Sequence, residues 1–388
     1  MRIVVVDDNP MNVTVVHEIL KRAGYTNIVA ASSGMELFGL LGLSPDGQQD
    51  TDAAGDDYGI DLILMDMMMP GVDGISACRA IYQTERLRDI PIIMVTAIGD
   101  SKKLAEALDA GAIDYVTKPI NRIELLARIR VALRLKEQKD WHKVRDRRVR
   151  EELQLAREVQ SAVLPQPLVE EGIRIGAIFR PSEELSGDLY AWHKIDEHRY
   201  GVAVIDAMGH GISSSLVCMF IASVLKDAMT KLVDPQLVAL ELNRRSQQLQ
   251  FADQLIQYYF TALYMVVDVK QRQVEYVNAG HPAGMLIRAG GEVETFAQGG
   301  IAIGMFDNIQ VQKHTVQIGE GDRIVLVTDG IFDLVGAEED DEDQLQQLKA
   351  LLQPYGSHIA QDQLEEELFR TDDSNRQDDR CLVVVDIL

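Results

Sequence analysis

Cysteine, tryptophan and basic side chains are all scarce in this chain. Three cysteines, Cys78, Cys218 and Cys381, are too few and too scattered for a disulfide framework or a thiolate zinc site, and they suit a reducing, cytoplasmic setting. The two tryptophans, Trp141 and Trp192, read as packing residues. Lys and Arg number 38 against 61 Asp and Glu, a formal net charge of −23 that repels nucleic acid and anionic membranes, so the expected partners are proteins. No stretch reaches the roughly 20 apolar residues that span a bilayer, and Ile3–Val6 is strand-like with no charged-then-apolar leader before it, which predicts a soluble cytoplasmic protein. What is abundant is apolar content: 388 residues at 46% hydrophobic exceed one ordinary core and predict two domains.

The first domain is expected over residues 1–125. Short β-branched runs, Ile3–Val6, Ile28–Ala31, Leu62–Met65, Ile92–Val95 and Tyr115–Thr117, alternate with amphipathic stretches. This βα alternation predicts a doubly wound α/β sheet with its ligands at the carboxyl ends of the strands. The chemistry-bearing residues fall at those ends: Asp7 and Asp8 after the first run, Asp66 after the third, Thr96 after the fourth, Lys118 after the fifth. Grouped carboxylates bind Mg²⁺, while a hydroxyl and an ammonium can neutralise the oxygens of a phosphoryl group on an aspartate. Residues Ser44 to Gly59, acidic and rich in Gly and Ala without periodicity, read as a mobile inserted loop.

These residues, with Met65-Asp66-Met67-Met68-Met69-Pro70-Gly71 and Thr117-Lys118-Pro119, resemble the response-regulator receiver domains of two-component systems, departing only in the acidic insertion. The resemblance implies a flavodoxin-like fold and Asp66 as phospho-acceptor, with a sensor histidine kinase as donor. It implies a Mg²⁺ shell of Asp7, Asp8, Asp66 and the Met68 carbonyl, with Thr96 and Lys118 on the phosphoryl oxygens and Tyr115 as the rotating aromatic of the switch. A receiver used only as a docking surface is the competing reading.

A charged helical linker is expected over residues 126–165. Val149, Leu153, Ala156, Gln160 and Val163 recur at spacings of 4, 3, 4 and 3, which allows a homodimeric coiled coil, although Gln160 at a seam position and the charges of Arg145 to Arg150 argue for a lone signalling helix. Pro165 and Pro167 end it.

Beyond Pro167 the pattern is many strands and few helices, predicting an α+β sandwich over residues 166–388. Ser213–Leu232 and Pro235–Phe251 read as helices, and the polar stretch Glu338 to Arg370 as a solvated helical insertion near the metal strands. Four aspartates stand out: Asp188 in Ser186-Gly187-Asp188, Asp206 in Asp206-Ala207-Met208-Gly209-His210-Gly211, Asp329 in Thr328-Asp329-Gly330, and Asp378 in Asp378-Asp379-Arg380. Each reads as a strand end, and folding would gather them into an all-oxygen cluster. Two hard cations bridged by one carboxylate can hold a hydroxide in line with a phosphorus atom, with no cysteine or serine nucleophile.

With Asn278-Ala279-Gly280-His281-Pro282, these motifs resemble the metal-dependent serine/threonine phosphatases of the PPM family, in particular the bacterial branch of anti-sigma-factor partner switching. The resemblance implies two Mn²⁺ or Mg²⁺ ions, Asp206 as the bridging ligand and the Ala207 carbonyl beside it. Asp188 would complete one site and Asp329 and Asp378 the other, with the choice between Asp378 and Asp379 open. Ala191, Ala207 and Cys381 depart from the family pattern without removing a ligand. Residues Ala156 to Gln166 resemble the helix that enters the domain and relays input to the metal site. The expected function is a phosphorylation-controlled phosphatase acting on an anti-anti-sigma-type phosphoprotein; the alternative is a receiver-gated adaptor without catalysis, disfavoured because four repelling carboxylates need cations. His210 and His281, in turns with Gly or Pro, read as structural rather than catalytic.

Overall fold

The computed structural model describes residues 1–44, 59–97, 101–249, 258–296, 299–334, 341–354, 361–370 and 378–388. Contacts divide the chain into two compact units, Met1–Val149 and Arg150–Leu388.

The first unit runs β1 (Arg2–Val6), α1 (Pro10–Arg22), β2 (Asn27–Ala31), α2 (Gly34–Leu41), β3 (Leu62–Asp66), α3 (Gly74–Gln83), β4 (Ile92–Thr96), α4 (Ser101–Asp109), β5 (Asp114–Thr117) and the first part of α5 (Arg122–Val163). All strand pairs are parallel in the order β2-β1-β3-β4-β5, the flavodoxin-like arrangement. β3 and β4 are buried at every position, which is why they read as unbroken apolar runs instead of alternating ones. On one face Val4, Val6, Ile63 and Met65 pack with Leu37, Phe38 and Ile81; on the other Ile3, Val5, Leu62 and Leu64 pack with Leu20, Leu125 and Ile129. The turn after β1 follows from local chemistry. Asn9 accepts the Met11 N–H as N-cap and Pro10 pre-sets the first helical position, so the chain reverses just past Asp7 and Asp8 and leaves them at the sheet edge. Most of the acidic insertion, residues 45–58, lies outside the described residues.

Helix α5 is 42 residues long, about 63 Å at the usual rise. Leu125, Ile129, Ala132 and Leu133 bury its first turns in the first unit. Trp141 does not pack in a core: it is 60% exposed, with its ring edge-on to His142 and the Arg145 guanidinium 5.5 Å from its centroid. With solvated charges on every side, no apolar face is available to receive it.

The second unit contains β6 (Leu168–Glu170), β7 (Ile173–Arg180), β8 (Asp188–Lys194), β9 (Arg199–Ala207), α6 (Ile212–Lys231), α7 (Pro235–Ser246), β10 (Phe260–Asp268), β11 (Gln273–Ala279), β12 (Met285–Ile287), β13 (Val293–Thr295), β14 (His314–Gln317) and β15 (Arg323–Val327). A 3-10 turn (Asp329–Leu334), α8 (Asp341–Leu352), α9 (Gln361–Leu368) and β16 (Arg380–Ile387) complete it. Two antiparallel sheets form, β14-β11-β10-β9-β8 and β13-β12-β15-β16-β7-β6. Val202, Val204, Leu263 and Met265 of the first meet Ile324, Leu326, Val383 and Val385 of the second, while Ala203 and Ile205, one residue out of phase, face Val217, Ile221, Leu225 and Leu242 of α6 and α7.

Two expectations are corrected here. Within the stretch from Glu338 to Arg370, the described helices α8 and α9 are not a solvated insertion. Leu348, Leu352, Leu364 and Leu368, in i, i+4 pairs on α8 and α9, are buried against Val325, Val327 and Val384 and form the outer layer of the second sheet. Helix α6 is, contrary to expectation, long and apolar enough by length and composition to cross a bilayer. Its apolar side chains cover the first sheet, which gives that composition a structural reason.

Candidate metal centres and phosphoryl site

In the first unit the sheet delivers Asp7, Asp66, Thr96 and Lys118 to one edge. Among the described residues, Asp7, Asp8 and Asp66 are the one trio of acids whose ligand atoms lie within 4.8 Å of one another. Lys118 Nζ donates to Asp7 Oδ2 at 2.9 Å and to Asp66 Oδ1 at 2.8 Å. Asp7 Oδ1 accepts the Asn9 N–H and the Asn12 side chain, which fixes that carboxylate from behind. Burial pushes the Asp66 carboxyl up from its ordinary value, with the neighbouring Asp7 and Asp8 adding to it and Lys118 opposing. Three hard oxygen donors beside one ammonium fit a divalent cation next to a phosphorylated carboxylate. The Thr96 hydroxyl lies 3.6 Å from Met67 Sδ. Tyr115 is half-buried, with Arg128 5.7 Å from its ring centroid. Met68 is 56% exposed between the buried Met67 and Met69.

In the second unit the sheet register places Asp188, first residue of β8, directly opposite Asp206, near the end of β9. Asp188 is therefore a strand opening rather than a strand end. Asp329 opens the 3-10 turn after β15, and Asp378 precedes β16, the antiparallel neighbour of β15. One carboxylate pair thus comes from each sheet. Desolvation raises Asp188 well above the ordinary range, with Asp206 the next contributor, and raises Asp206 to about 8, with Asp329 and Asp378 the nearest charges acting on it. Asp329 and Asp378 are raised for the same first reason. No three of these acids bring oxygens within 4.8 Å of one another, a spread in keeping with ligands shared between two cations. Like charges in a desolvated cleft keep their distance, and ligands shared between two cations span more than one ion's shell. A donor set of buried, hard carboxylates fits a pair of divalent cations.

Asp379 is occupied differently. Its Oδ1 accepts the Ser182 N–H and Oγ–H at 2.7 and 2.9 Å, and its Oδ2 accepts the Gly187 N–H at 2.7 Å. Three of its acceptor positions are spent on the loop that leads into Asp188, whereas Asp378 accepts the Asp379 N–H on Oδ1. Ala207 is buried and hydrogen-bonds through its N–H to the Gly187 carbonyl. Gly187 has to be glycine: a Cβ there would lie 2.8 Å from the Gly209 carbonyl oxygen.

Of the two histidines, His281 is buried and pushed down to about 3 by desolvation, so its ring is neutral; Nδ1 pairs with Thr261 Oγ1 at 2.7 Å, and Thr261 lies opposite Asp206 in the sheet. It braces the strand under the site. His210 is exposed and pairs with Glu183 at 2.9 Å.

Sequence reading placed Gln160 on a coiled-coil seam. It is 5% exposed, and its amide makes a two-way clasp with Ser186: Nε2 donates to the Ser186 carbonyl at 2.8 Å, and Oε1 accepts the Ser186 N–H at 3.1 Å. A seam that includes Gln160 is already used inside this unit. Trp192 ties the same region, donating from Nε1 to the Gln166 carbonyl and stacking on Tyr190. We expect Gln160→Leu, which keeps the bulk and removes both bonds, to cost about 2 kcal/mol through the Ser186 groups left unsatisfied; chemical denaturation monitored at Trp192 measures it.

The chain matches the Response regulator receiver domain family over residues 3–130 and the Stage II sporulation protein E (SpoIIE) family over residues 196–388. The chain joins a receiver domain to a SpoIIE-type phosphatase domain. Asp206, Asp329 and Asp378 lie inside the SpoIIE match, and Asp188 lies just ahead of it. Phosphoserine phosphatase RsbP of Bacillus subtilis is 37% identical over 182 residues, 47% of this chain and 45% of that protein. The DNA-binding dual master transcriptional regulator RpaA of Synechocystis is 37% identical over 134 residues, 34% of this chain and 49% of that protein. The chain thus spans about half the length of these curated relatives. The SiaA-PP2C domain of Pseudomonas aeruginosa shares the fold of the SpoIIE-type domain, at a TM-score of 0.53, 20% identity, 63% coverage of this chain and 98% of that one.

Proposed function

We propose that this chain is a cytoplasmic response regulator in which phosphorylation of Asp66 by a sensor histidine kinase controls a metal-dependent protein serine/threonine phosphatase, whose substrate is a small anti-anti-sigma-type phosphoprotein. The observation that carries the reading is the opposition of Asp188 and Asp206 across β8 and β9, with Asp329 and Asp378 arriving from the other sheet. Asp206, on which Asp329 and Asp378 both act, would be the bridging ligand, and Asp378 would be the ligand at the last motif because the oxygens of Asp379 are taken by Ser182 and Gly187. Divalent cations held there, Mn²⁺ or Mg²⁺, supply a hydroxide at neutral pH and charge to balance the phosphoryl oxygens. The protein residues fix the carboxylates, and the glycines of the Met208–Ile212 loop let substrate backbone approach. In the receiver, Asp7, Asp8 and the Met68 carbonyl would hold Mg²⁺ beside Asp66, with Thr96, Lys118 and Tyr115 reading the phosphoryl group. Pairing of two copies along the exposed middle of α5 belongs to the same proposal, without Gln160 in the seam.

The test is Mn²⁺-dependent hydrolysis of p-nitrophenyl phosphate and of a phosphoserine protein, with and without beryllofluoride as the phosphoryl mimic. We expect turnover that chelation removes and that beryllofluoride changes several-fold in wild type, with no such change in Asp66→Ala. Turnover indifferent to beryllofluoride sinks the control; none at any Mn²⁺ concentration leaves the adaptor reading. Identical sedimentation with and without beryllofluoride sinks phosphorylation-dependent pairing.

A further inference from the structure

The loop that carries Asp188 is held by two residues outside the ligand set proposed above, Thr328 and Asp379. Thr328, fully buried at the end of β15, donates its hydroxyl to Asp188 Oδ2 at 2.7 Å and accepts the Cys381 N–H on the same oxygen at 2.9 Å. Asp188 Oδ2 is the nearer acceptor for this hydroxyl, the Cys381 carbonyl lying at 3.4 Å. Asp379, at the foot of β16, grips the loop at Ser182 and again at Gly187 through its two oxygens. Asp188 belongs to the first sheet, while Thr328 and Asp379 belong to the second. Two hydrogen bonds, Thr328 to Asp188 and Gly187 to Asp379, therefore tie the second sheet to the start of β8, while the two at Ser182 hold the same loop where it leaves β7 of the second sheet. Asp379 is also adjacent to Asp378 in the chain, and Gly330, adjacent to Asp329, packs so closely on the Asp379 carbonyl that a Cβ there would collide with it. Thr328 and Asp379 thus join the strand ends that carry Asp329 and Asp378 to the segment that carries Asp188.

We infer that Thr328 and Asp379 are positioning residues that set the Asp188 carboxylate relative to Asp329 and Asp378, and so gear the two cation positions of the phosphatase site to each other. The inference rests on the metal-dependent reading above. Thr328 does not act on substrate. It leaves one Asp188 oxygen hydrogen-bonded and the other as the donor to a cation, which is the role outer hydrogen bonds play around metal-ligating groups. Asp379 acts one step further out, through the backbone at Gly187. Replacing Thr328 by Val keeps the shape and removes the hydroxyl; replacing it by Ser keeps the hydroxyl.

The experiment is a Mn²⁺ titration of the full-length chain followed by electron paramagnetic resonance of free Mn²⁺, with the phosphatase-site ions distinguished by an Asp66→Ala, Asp7→Ala background that disables the receiver site. In that background we expect two ions to bind. Adding Thr328→Val should weaken one of them by about 10–100-fold, the cost typical of losing a partner outside the ligand shell, with less change in the other. Adding Thr328→Ser should restore the affinity to within a few-fold. Asp379→Asn, which can accept from only one of the two loop anchors, should weaken the same ion. In the activity assay Thr328→Val should raise the Mn²⁺ concentration for half-maximal rate, and excess Mn²⁺ should recover much of kcat. Unchanged affinity for both ions in Thr328→Val overturns the inference, as does an equal loss in Thr328→Ser. Should Thr328→Val fail to fold, Asp379→Asn decides between the same two results. Absence of Mn²⁺ binding in the background protein itself overturns the metal-dependent reading, and is distinct from a failure of the positioning role.

Discussion

Asp206→Asn is expected to lower Mn²⁺-dependent hydrolysis by about three orders of magnitude or more, while leaving the domain folded. Asp206 is pinned in the middle of the first sheet, with β8 on one side and β10 on the other, and its neighbour in register is Asp188. An asparagine occupies the same volume and keeps the strand pairing, so the fold has no reason to fail. The chemistry has. The amide carries no charge and bridges two cations poorly, and losing a direct ligand must cost more than the roughly 10–100-fold seen for partners outside the ligand shell. Metal-free Asp206→Asn should also be more stable than metal-free wild type, because it removes a carboxylate that burial and the surrounding acids push up to about 8. A protein that loses activity and gains metal-free stability is the signature of a ligand. Equal turnover in wild type and Asp206→Asn, or lost turnover with lost fold, counts against the assignment.

The strands that cross the middle of each sheet were legible because burial on both faces left them as uninterrupted apolar runs: β3, β4, β9 and β16 are each buried at nearly every position. The short edge strands β6, β13 and β14, and β8 with it, were not. β8 lies at a sheet edge, and its residues Tyr190 to His193 are all half-buried, so neither an alternation nor an apolar run marks it. That is why Asp188 was taken to follow a strand when it begins one. The stretch of α8 and α9 read as helical, but its buried side was hidden for another reason: acids and glutamines crowd both helices, and only the i, i+4 leucine pairs betray a buried side. Site residues were readable where glycine and aspartate occur together after an apolar run. Thr328 and Gln160 gave no such signal. Their roles come from hydrogen bonds between residues 140 and 26 positions apart, which no local pattern encodes.

The burial of the four acids has a measurable consequence for stability. In chelator, Asp188, Asp206, Asp329 and Asp378 are all raised above the value they take in the unfolded chain, first by desolvation and then by neighbouring acids, Asp333 and Asp379 among them. For a raised carboxyl the folded state holds a proton that the unfolded chain has released. Its contribution to stability is therefore full below the unfolded value and is lost as pH rises through the folded one, about 8 for Asp206. His281 works the other way. Held down at about 3, its contribution is present above the ordinary histidine value and is lost only as pH falls below it. Between pH 6.5 and 8.5 His281 is silent and ordinary carboxylates are already ionised, so the cluster is isolated in that window. Metal-free protein should lose about 1–2 kcal/mol between pH 6.5 and 8, a fall of a few degrees in the midpoint of the transition that responds to metal. Saturating Mn²⁺ should reverse the slope, since cations compete with protons for the same oxygens and bind better as pH rises. The stabilisation by Mn²⁺ should thus be larger at pH 8 than at pH 6.5, and in Asp206→Asn the metal-free slope should shrink. Thermal unfolding in chelator and in Mn²⁺ across that window measures all three. A metal-free midpoint that stays level or climbs toward pH 8 would mean that the four carboxylates do not burden one another, and that no cation is needed to hold them together.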